Sequence, residues 1–209
     1  MHPLRTLGLS AAIATLLAAP AFAQDGGTAS GKRFSVVGGG ALLQPDSDPL
    51  PGARIDADGG VAPTLSATWH ATDNIGVELW GAADRFDHRI RSDAGKIGTV
   101  ESQPIALSAQ YHFGDADQTF RPFVGLGYHQ TNISHEDIPT ADGAHIGLTS
   151  PKGAIGTVGV DMNINPTWFA RADARYLDGD ADARRAGETV ARDVRFNPWM
   201  VGIGIGARF

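Results

Sequence analysis

The stretch Pro198-Trp199-Met200-Val201-Gly202-Ile203-Gly204-Ile205-Gly206-Ala207-Arg208-Phe209 places an apolar side chain at every odd position. Its even positions hold Met200, three glycines and Arg208. A period of two is the signature of a strand with one apolar face, since successive side chains of an extended chain point to opposite sides. The pattern recurs in 64–71, where Leu65, Ala67, Trp69 and Ala71 oppose Thr64, Ser66, Thr68 and His70. It recurs again in 168–176, where Trp168, Ala170, Ala172, Ala174 and Tyr176 oppose Phe169, Arg171, Asp173 and Arg175. With less contrast it marks 33–43, 75–86, 104–113, 121–131 and 152–164, which makes eight strands.

The links between these strands alternate in length. Short ones, rich in turn formers, fall at Thr72-Asp73-Asn74, at 114–119 and at Asn165-Pro166. Long ones cover about 44–62, 87–103, 132–151 and 178–197. An even-stranded meander puts all short links at one end and all long ones at the other, the organisation of outer-membrane barrels. Closure also removes the two unpaired edges that an open meander would expose. The expected fold is therefore all-β: an eight-stranded antiparallel up-and-down transmembrane β-barrel over residues 24–209.

Residues 1–23 are read separately. His2 and Arg5 precede an apolar run from Leu7 to Ala19, followed by Pro20 and Ala21-Phe22-Ala23. This is the layout of a secretory signal peptide cleaved after Ala23. The apolar run falls short of the roughly 20 residues that a membrane-spanning helix needs.

Composition narrows the function. Of 209 residues, 42% are hydrophobic, which argues against disorder. The 17 basic and 23 acidic residues give a formal charge of -6, leaving no broad cationic footprint for nucleic acid. The chain has no cysteine, so thiolate metal sites, disulfides and Cys nucleophiles are excluded.

Alternation alone does not say which side the apolar face looks to. Trp199 and Phe209 bracket the last strand; at roughly 3.3 Å per residue and a tilt of about 40° they stand about 25 Å apart along the membrane normal, the height of an outer-membrane apolar band. The opposite face carries Glu78, Asp84, Arg171, Asp173 and Arg175, which a greasy soluble cavity would have to desolvate but a polar lumen accepts. Both points turn the apolar face outward.

The chain resembles the outer membrane protein W (OmpW) family over essentially its whole mature length. The resemblance rests on Thr72-Asp73-Asn74-Ile75-Gly76, Tyr111-His112-Phe113-Gly114, Phe120-Arg121-Pro122-Phe123-Val124-Gly125-Leu126-Gly127, Asn197-Pro198-Trp199 and the terminal Arg208-Phe209. Two departures stand out. Ser102-Gln103-Pro104-Ile105 lies where relatives tend to carry two consecutive prolines, and Val37 stands where many relatives carry a basic lumen residue. The resemblance implies a barrel of a Gram-negative outer membrane that admits small hydrophobic molecules and releases them sideways into the bilayer. Its expected surroundings are outer-membrane lipid, lipopolysaccharide and the outer-membrane assembly machinery, engaged through the strand ending at Phe209.

Eight strands leave an interior just wide enough for side chains or one small ligand, so a wide aqueous pore is not expected. No phosphate-binding loop is visible, so transport would be passive, with no cofactor. Parity assigns Val37, Leu43, Trp80, Phe123, Phe169 and Met200 to an apolar passage, or simply to filling of the interior. It assigns Glu78, Asp84, Arg171, Asp173 and Arg175 to lumen charges, as structural pairs or as a selectivity filter. Pro63 and Pro104, which lack a ladder donor, are the candidates for a lateral weak spot, although prolines also simply begin strands. His70, His112 and His129 share the inner parity, but no Ser and acid at defined offsets complete a catalytic set, so no enzyme activity is expected. Asp178-Gly179-Asp180-Ala181-Asp182 opens like a calcium loop, yet Ala183 and Thr189 occupy positions that need glycine and glutamate; an acidic surface loop is the better account. Gly202, Gly204 and Gly206 lie inside one strand and are read as thinning the lumen wall or easing curvature. Arg184, Arg185 and Arg192 are expected in a solvated loop. The competing function is a non-transporting surface receptor or structural barrel acting through its long loops.

Overall fold

The computed structural model describes residues 28–44, 56–57, 59–92, 95–134, 146–148, 150–185 and 188–209. Its strands are β1 (Phe34–Gln44), β2 (Asp56–Ala57), β3 (Gly60–His70), β4 (Ile75–Ala82), β5 (Phe86–Ser92), β6 (Gly95–His112), β7 (Phe120–Ser134), β8 (Ile146–Leu148), β9 (Lys152–Asn163), β10 (Trp168–Arg185), β11 (Glu188–Phe196) and β12 (Trp199–Arg208). Eight of these, β1, β3, β4, β6, β7, β9, β10 and β12, form the barrel wall in an antiparallel meander. The wall closes where β1 pairs with β12, from Ser35↔Arg208 to Gln44↔Trp199. β5 continues β4 beyond a bend at 83–85. β11 leads into β12 across Asn197-Pro198 and keeps the same register on β10 as far as Ala181↔Val194, beyond which the pairing shifts. Residues 1–23, expected from the sequence to be a signal peptide, lie outside the described residues.

Every expected strand is present, but several run further toward the long-loop end. Asp178-Gly179-Asp180 lies in β10, paired with Ala154, Gly153 and Lys152 of β9, rather than in an acidic loop. Beyond the apolar band both faces of a strand meet water, so hydrophobic alternation fades while backbone pairing continues. The expected strand 75–86 is instead broken at 83–85.

The apolar stripe faces outward. Ile203 is 72% exposed and Leu126 70%, whereas Glu78 is 0% and Arg175 1% exposed. That is the inverse of a soluble protein, where charged groups line the surface. Phe34, Trp69, Tyr111, Phe113, Phe120, Trp168 and Phe209 form an exposed girdle at the short-turn end. Tyr128 and Trp199 mark the other rim, Trp199 with its ring centroid 4.9 Å from that of Tyr176. Rings with an apolar body and, in Trp and Tyr, a polar handle suit both interfaces of a bilayer.

Side chains fasten the short turns. Asn165 Oδ1 accepts from the backbone N–H groups of Thr167 (2.9 Å) and Trp168 (2.8 Å). Asn74 Nδ2 donates to the carbonyls of His112 (2.7 Å) and Gly114 (2.8 Å), and Asn163 Nδ2 to those of Ala116 (2.8 Å) and Gln118 (2.7 Å). Residues 28–33 form a strap across this mouth. Asp117 accepts from the Thr28 hydroxyl and the Ala29 N–H, and Asp73 from the Ser30 hydroxyl (2.5 Å) and the Gly31 N–H (2.9 Å). These bonds hold both carboxyls below their ordinary value of 3.8, the hydroxyls of Ser30 and Thr28 contributing most.

A depressed carboxylate pKa stabilises the folded state above the unfolded value and loses that contribution as pH falls through the folded one. The strap is therefore expected to stay fastened from neutrality down to about pH 4 and to loosen below it. Amide exchange at Ala29 and Gly31 followed from pH 7 to pH 3 tests this; protection unchanged across that range would rule it out.

Candidate functional site

The inward face of the barrel is built in two layers. Toward the long-loop end, Ala41, Leu43, Ala62, Trp80, Ala82, Phe86, Ala106, Ile155, Leu177 and Met200 form one buried apolar cluster, here called the cup. Below it lies an ionic layer. Glu78 on β4 receives Arg171 Nη1 at Oε1 (2.9 Å) and Arg175 Nη1 at Oε2 (2.9 Å), both arginines reaching across from β10. Arg171 also grips Asp161 of β9 through Nε (2.7 Å) and Nη2 (3.0 Å). Arg208 Nη2 donates to the same carboxylate (3.1 Å), and Arg175 Nε donates to Asp173 (2.8 Å).

Aromatic faces flank these guanidinium groups. Arg171 lies 4.4 Å from the Phe123 ring centroid, Arg175 4.5 Å from that of Trp80, and Arg208 4.0 Å from that of Phe169. Desolvated charges survive here because each has an opposite charge, directed hydrogen bonds and a ring quadrupole. The rings need space, which glycine provides. A Cβ on Gly159 would come within 2.6 Å of Phe123 Cε1, and one on Gly206 within 2.6 Å of Phe169 Cε1. Gly206→Ala should therefore push Phe169 off Arg208 and destabilise the barrel by about 1–3 kcal/mol. Urea unfolding in detergent measures it; a midpoint equal to that of the parent chain would rule it out.

The six residues assigned to an apolar passage, Val37, Leu43, Trp80, Phe123, Phe169 and Met200, all point inward and are buried. They do not form one path. Leu43, Trp80 and Met200 belong to the cup, while Phe123 and Phe169 cover arginines in the ionic layer. Among the charges, Glu78, Arg171, Asp173 and Arg175 meet in the network, and Asp84 does not. Asp84 sits exposed on the bend at 83–85, its carboxylate capping the Arg85 N–H (2.8 Å). The bend interrupts the strand and cancels the parity that assigned it inward.

His70 and His112 lie together, ring centroids 5.6 Å apart, with Ser35 on His70 Nε2 (2.9 Å) and Asp161 near His112 Nε2 (3.5 Å). His129 stands elsewhere, against the Asp178 carbonyl (3.3 Å). Asp161, Arg208 and Arg121 were not singled out from sequence as lumen charges, although all three share the inward parity of their strands.

The ionic layer closes the bore. A cavity of about 10 Å³ lies beside Val37, Ser66, Trp80, Arg171, Arg175 and Met200, room for roughly one water.

The wall has a defect beside the cup. The β4–β6 ladder runs to Gly81↔Ile105 and resumes as Phe86↔Ser102, so four residues, 82–85, face two, 103–104. In the register that ends there, Pro104 stands opposite Ala82. His112 N donates toward this side of β6, to Asn74 (2.7 Å). Pro104, of the same parity, would have to donate to the Ala82 carbonyl, and it has no N–H. The Gln103 side chain bonds that carbonyl instead, at 3.1 Å. On the other flank, Ala83 N donates to the Pro63 carbonyl (2.8 Å), and Pro63 cannot return the bond to Ala83. Two adjacent carbonyls, Ala82 and Ala83, thus each lack a ladder donor, one from each neighbouring strand. Pro63 faces outward and Pro104 inward.

Comparison with known proteins agrees with this architecture. Residues 43–209 match the model of the OmpW family. Outer membrane protein W of Escherichia coli (strain K12) is 36% identical over 95% of this chain and 96% of its own length. The crystal structure of OprG from Pseudomonas aeruginosa superposes with a TM-score of 0.71 at 25% identity, covering 88% of this chain and 99% of that one. The solution structure of the E. coli outer membrane protein W gives 0.59 at 34% identity, covering 85% and 98%. The relatives are named as outer membrane proteins and not as enzymes. With its outward apolar band, closed eight-stranded wall and these relatives, the chain is a Gram-negative outer-membrane β-barrel and belongs to the OmpW family.

Proposed function

We propose that this barrel is a passive route for small hydrophobic molecules, which enter the cup from the long-loop end and leave sideways into the bilayer. The observation that carries the reading is the paired loss of ladder donors at Ala82 and Ala83. A solute resting among Leu43, Trp80, Phe86 and Met200 meets the ionic layer below, where an apolar molecule would have to displace paired charges at prohibitive cost. The wall at 82–85 is the weaker barrier, lacking two ladder donors, for one of which only the Gln103 side chain substitutes. Beyond it lies lipid, which receives the solute down its own gradient. Val37, Phe123 and Phe169 fill and brace the layer below and are not part of the path. Glu78, Arg171, Asp173 and Arg175 make its floor. No catalytic step or cofactor enters this scheme.

Uptake of an apolar tracer by cells with and without the protein tests the route, set beside ion conductance of the purified barrel in planar bilayers. The expected result is faster uptake with negligible conductance. Equal uptake with and without the protein would remove the proposal, and the surface-receptor alternative would then take its place. In the same reading, lipopolysaccharide and lipid contact the exposed girdles, and the assembly machinery engages β12. Export proceeds with cleavage after Ala23. Intact mass of the protein recovered from membranes should place its first residue at Gln24, and a retained leader would refute the cleavage.

A further inference from the structure

The bend at 83–85 is held from both sides of the wall. Phe86, the residue that follows it, is 0% exposed and belongs to the cup with Trp80, Ala82 and Ala106. Its partner in the resumed ladder is Ser102, which is also buried. On the opposite face, β6 reaches over the bend with two successive outward side chains. Gln103 donates to the Ala82 carbonyl, and Glu101 accepts from Arg85 Nη1. Arg85 and Glu101 are 39% and 25% exposed at the side chain, so this pair is far wetter than the ionic layer. Asp84 fixes the backbone between them, its carboxylate taking the Arg85 N–H at 2.8 Å.

Four residues facing two give the wall slack, so 82–85 can swing outward without breaking the rung Gly81↔Ile105. Phe86 is their immediate continuation, and its ring fills the cup beside them. A solute in the cup reaches the slack wall only when that ring turns aside, and the swing also has to part Arg85 from Glu101. On the reading that solutes leave through 82–85, we propose that Phe86 is the inner leaf of a gate and the Arg85–Glu101 ion pair its outer fastening. The ring sets the girth of what passes, since a slim molecule slips by its edge and a bulky one must displace it whole. The ion pair sets how often the wall opens. Being part-exposed, it is weak enough to break and re-form within the folded barrel.

The test follows uptake of two apolar tracers, one linear and one polycyclic, by cells carrying the parent chain or a variant at equal abundance. Beside it, amide exchange at Ala83 is measured in the purified full barrel. Phe86→Ala should raise uptake of the polycyclic tracer more than that of the linear one, a change of selectivity that a merely weakened fold would not produce. If Phe86→Ala does not fold, Phe86→Leu carries the size comparison. Arg85→Gln and Glu101→Gln should each raise uptake of both tracers about twofold to fivefold, the usual weight of a part-exposed pair. Both should also speed exchange of the Ala83 N–H, which is bonded to Pro63, by the same factor. Salt should quicken that exchange in the parent chain and not in Arg85→Gln, because screening acts on the pair. Arg85→Glu with Glu101→Arg rebuilds the pair in reverse and should return uptake and exchange to parent values. No uptake by the parent chain over cells lacking it removes the exit route and the gate with it. Uptake by the parent with selectivity unchanged in the folded Phe86 variant, or Ala83 exchange indifferent to loss of Arg85, overturns the gate alone.

Discussion

Replacing Glu78 with leucine is expected to destabilise the folded barrel by about 3–5 kcal/mol, the usual range when one partner of a buried ion pair is removed. Glu78 lies between two guanidinium groups that are themselves 2% exposed at the side chain. Without it Arg171 retains Asp161, but Arg175 keeps only Asp173, the partly accessible end of the network at 11% side-chain exposure. Arg175 is thus the group stranded by the change. The double variant Glu78→Leu with Arg175→Leu removes charge and counter-charge together, and it should recover most of the loss, since apolar replacement of a whole buried pair is often neutral or better. Equilibrium urea unfolding in detergent or lipid distinguishes the two. A loss below about 1 kcal/mol for the single variant would mean the lumen is wet enough to solvate the arginines, and the ionic layer would then be no barrier.

The second large effect concerns transport. Pro63→Ala with Pro104→Ala gives Ala83 and Ala82 the ladder donors they lack. Pro63→Ala restores a bond worth about 1 kcal/mol, while Pro104→Ala exchanges the Gln103 side-chain bond to Ala82 for a ladder bond, so the pair should shift the wall's opening equilibrium toward closed by about fivefold to tenfold. Apolar-tracer uptake should fall by a similar factor while the unfolding midpoint rises. The two readouts move in opposite directions, which separates a closed wall from a damaged fold. Unchanged uptake in a barrel that has gained stability would show that the prolines only shape the strands. In that case solutes leave by another route.

Much of this arrangement was legible in the sequence because a barrel strand writes its two faces in alternate letters. The outward stripe of 198–209 and the inward parity of Glu78, Arg171 and Arg175 follow directly from period two. The pairing of those charges does not. Glu78 and Arg171 are 93 positions apart and meet only because closure and register bring β4 and β10 to opposite sides of one narrow bore. Asp161 sits in a strand of low contrast and Arg208 belongs to a terminal motif, so the lower half of the network is not legible from parity alone. Asp84 was misplaced for the opposite reason: parity was carried across a bend that resets it. The prolines were conspicuous as residues without a donor. That both deficits fall on neighbouring carbonyls depends on two registers that no single strand reveals.

The four tryptophans divide unevenly between the two sides of the wall. Trp69, Trp168 and Trp199 are about half exposed on the girdles, whereas Trp80 is 5% exposed and has Arg175 over its ring. Intrinsic fluorescence therefore carries two signals: three emitters at headgroup depth, open to quenchers grafted on lipid, and one sheltered emitter beside a cation in the interior. The protein can report on its insertion and on its contents separately, without an added label.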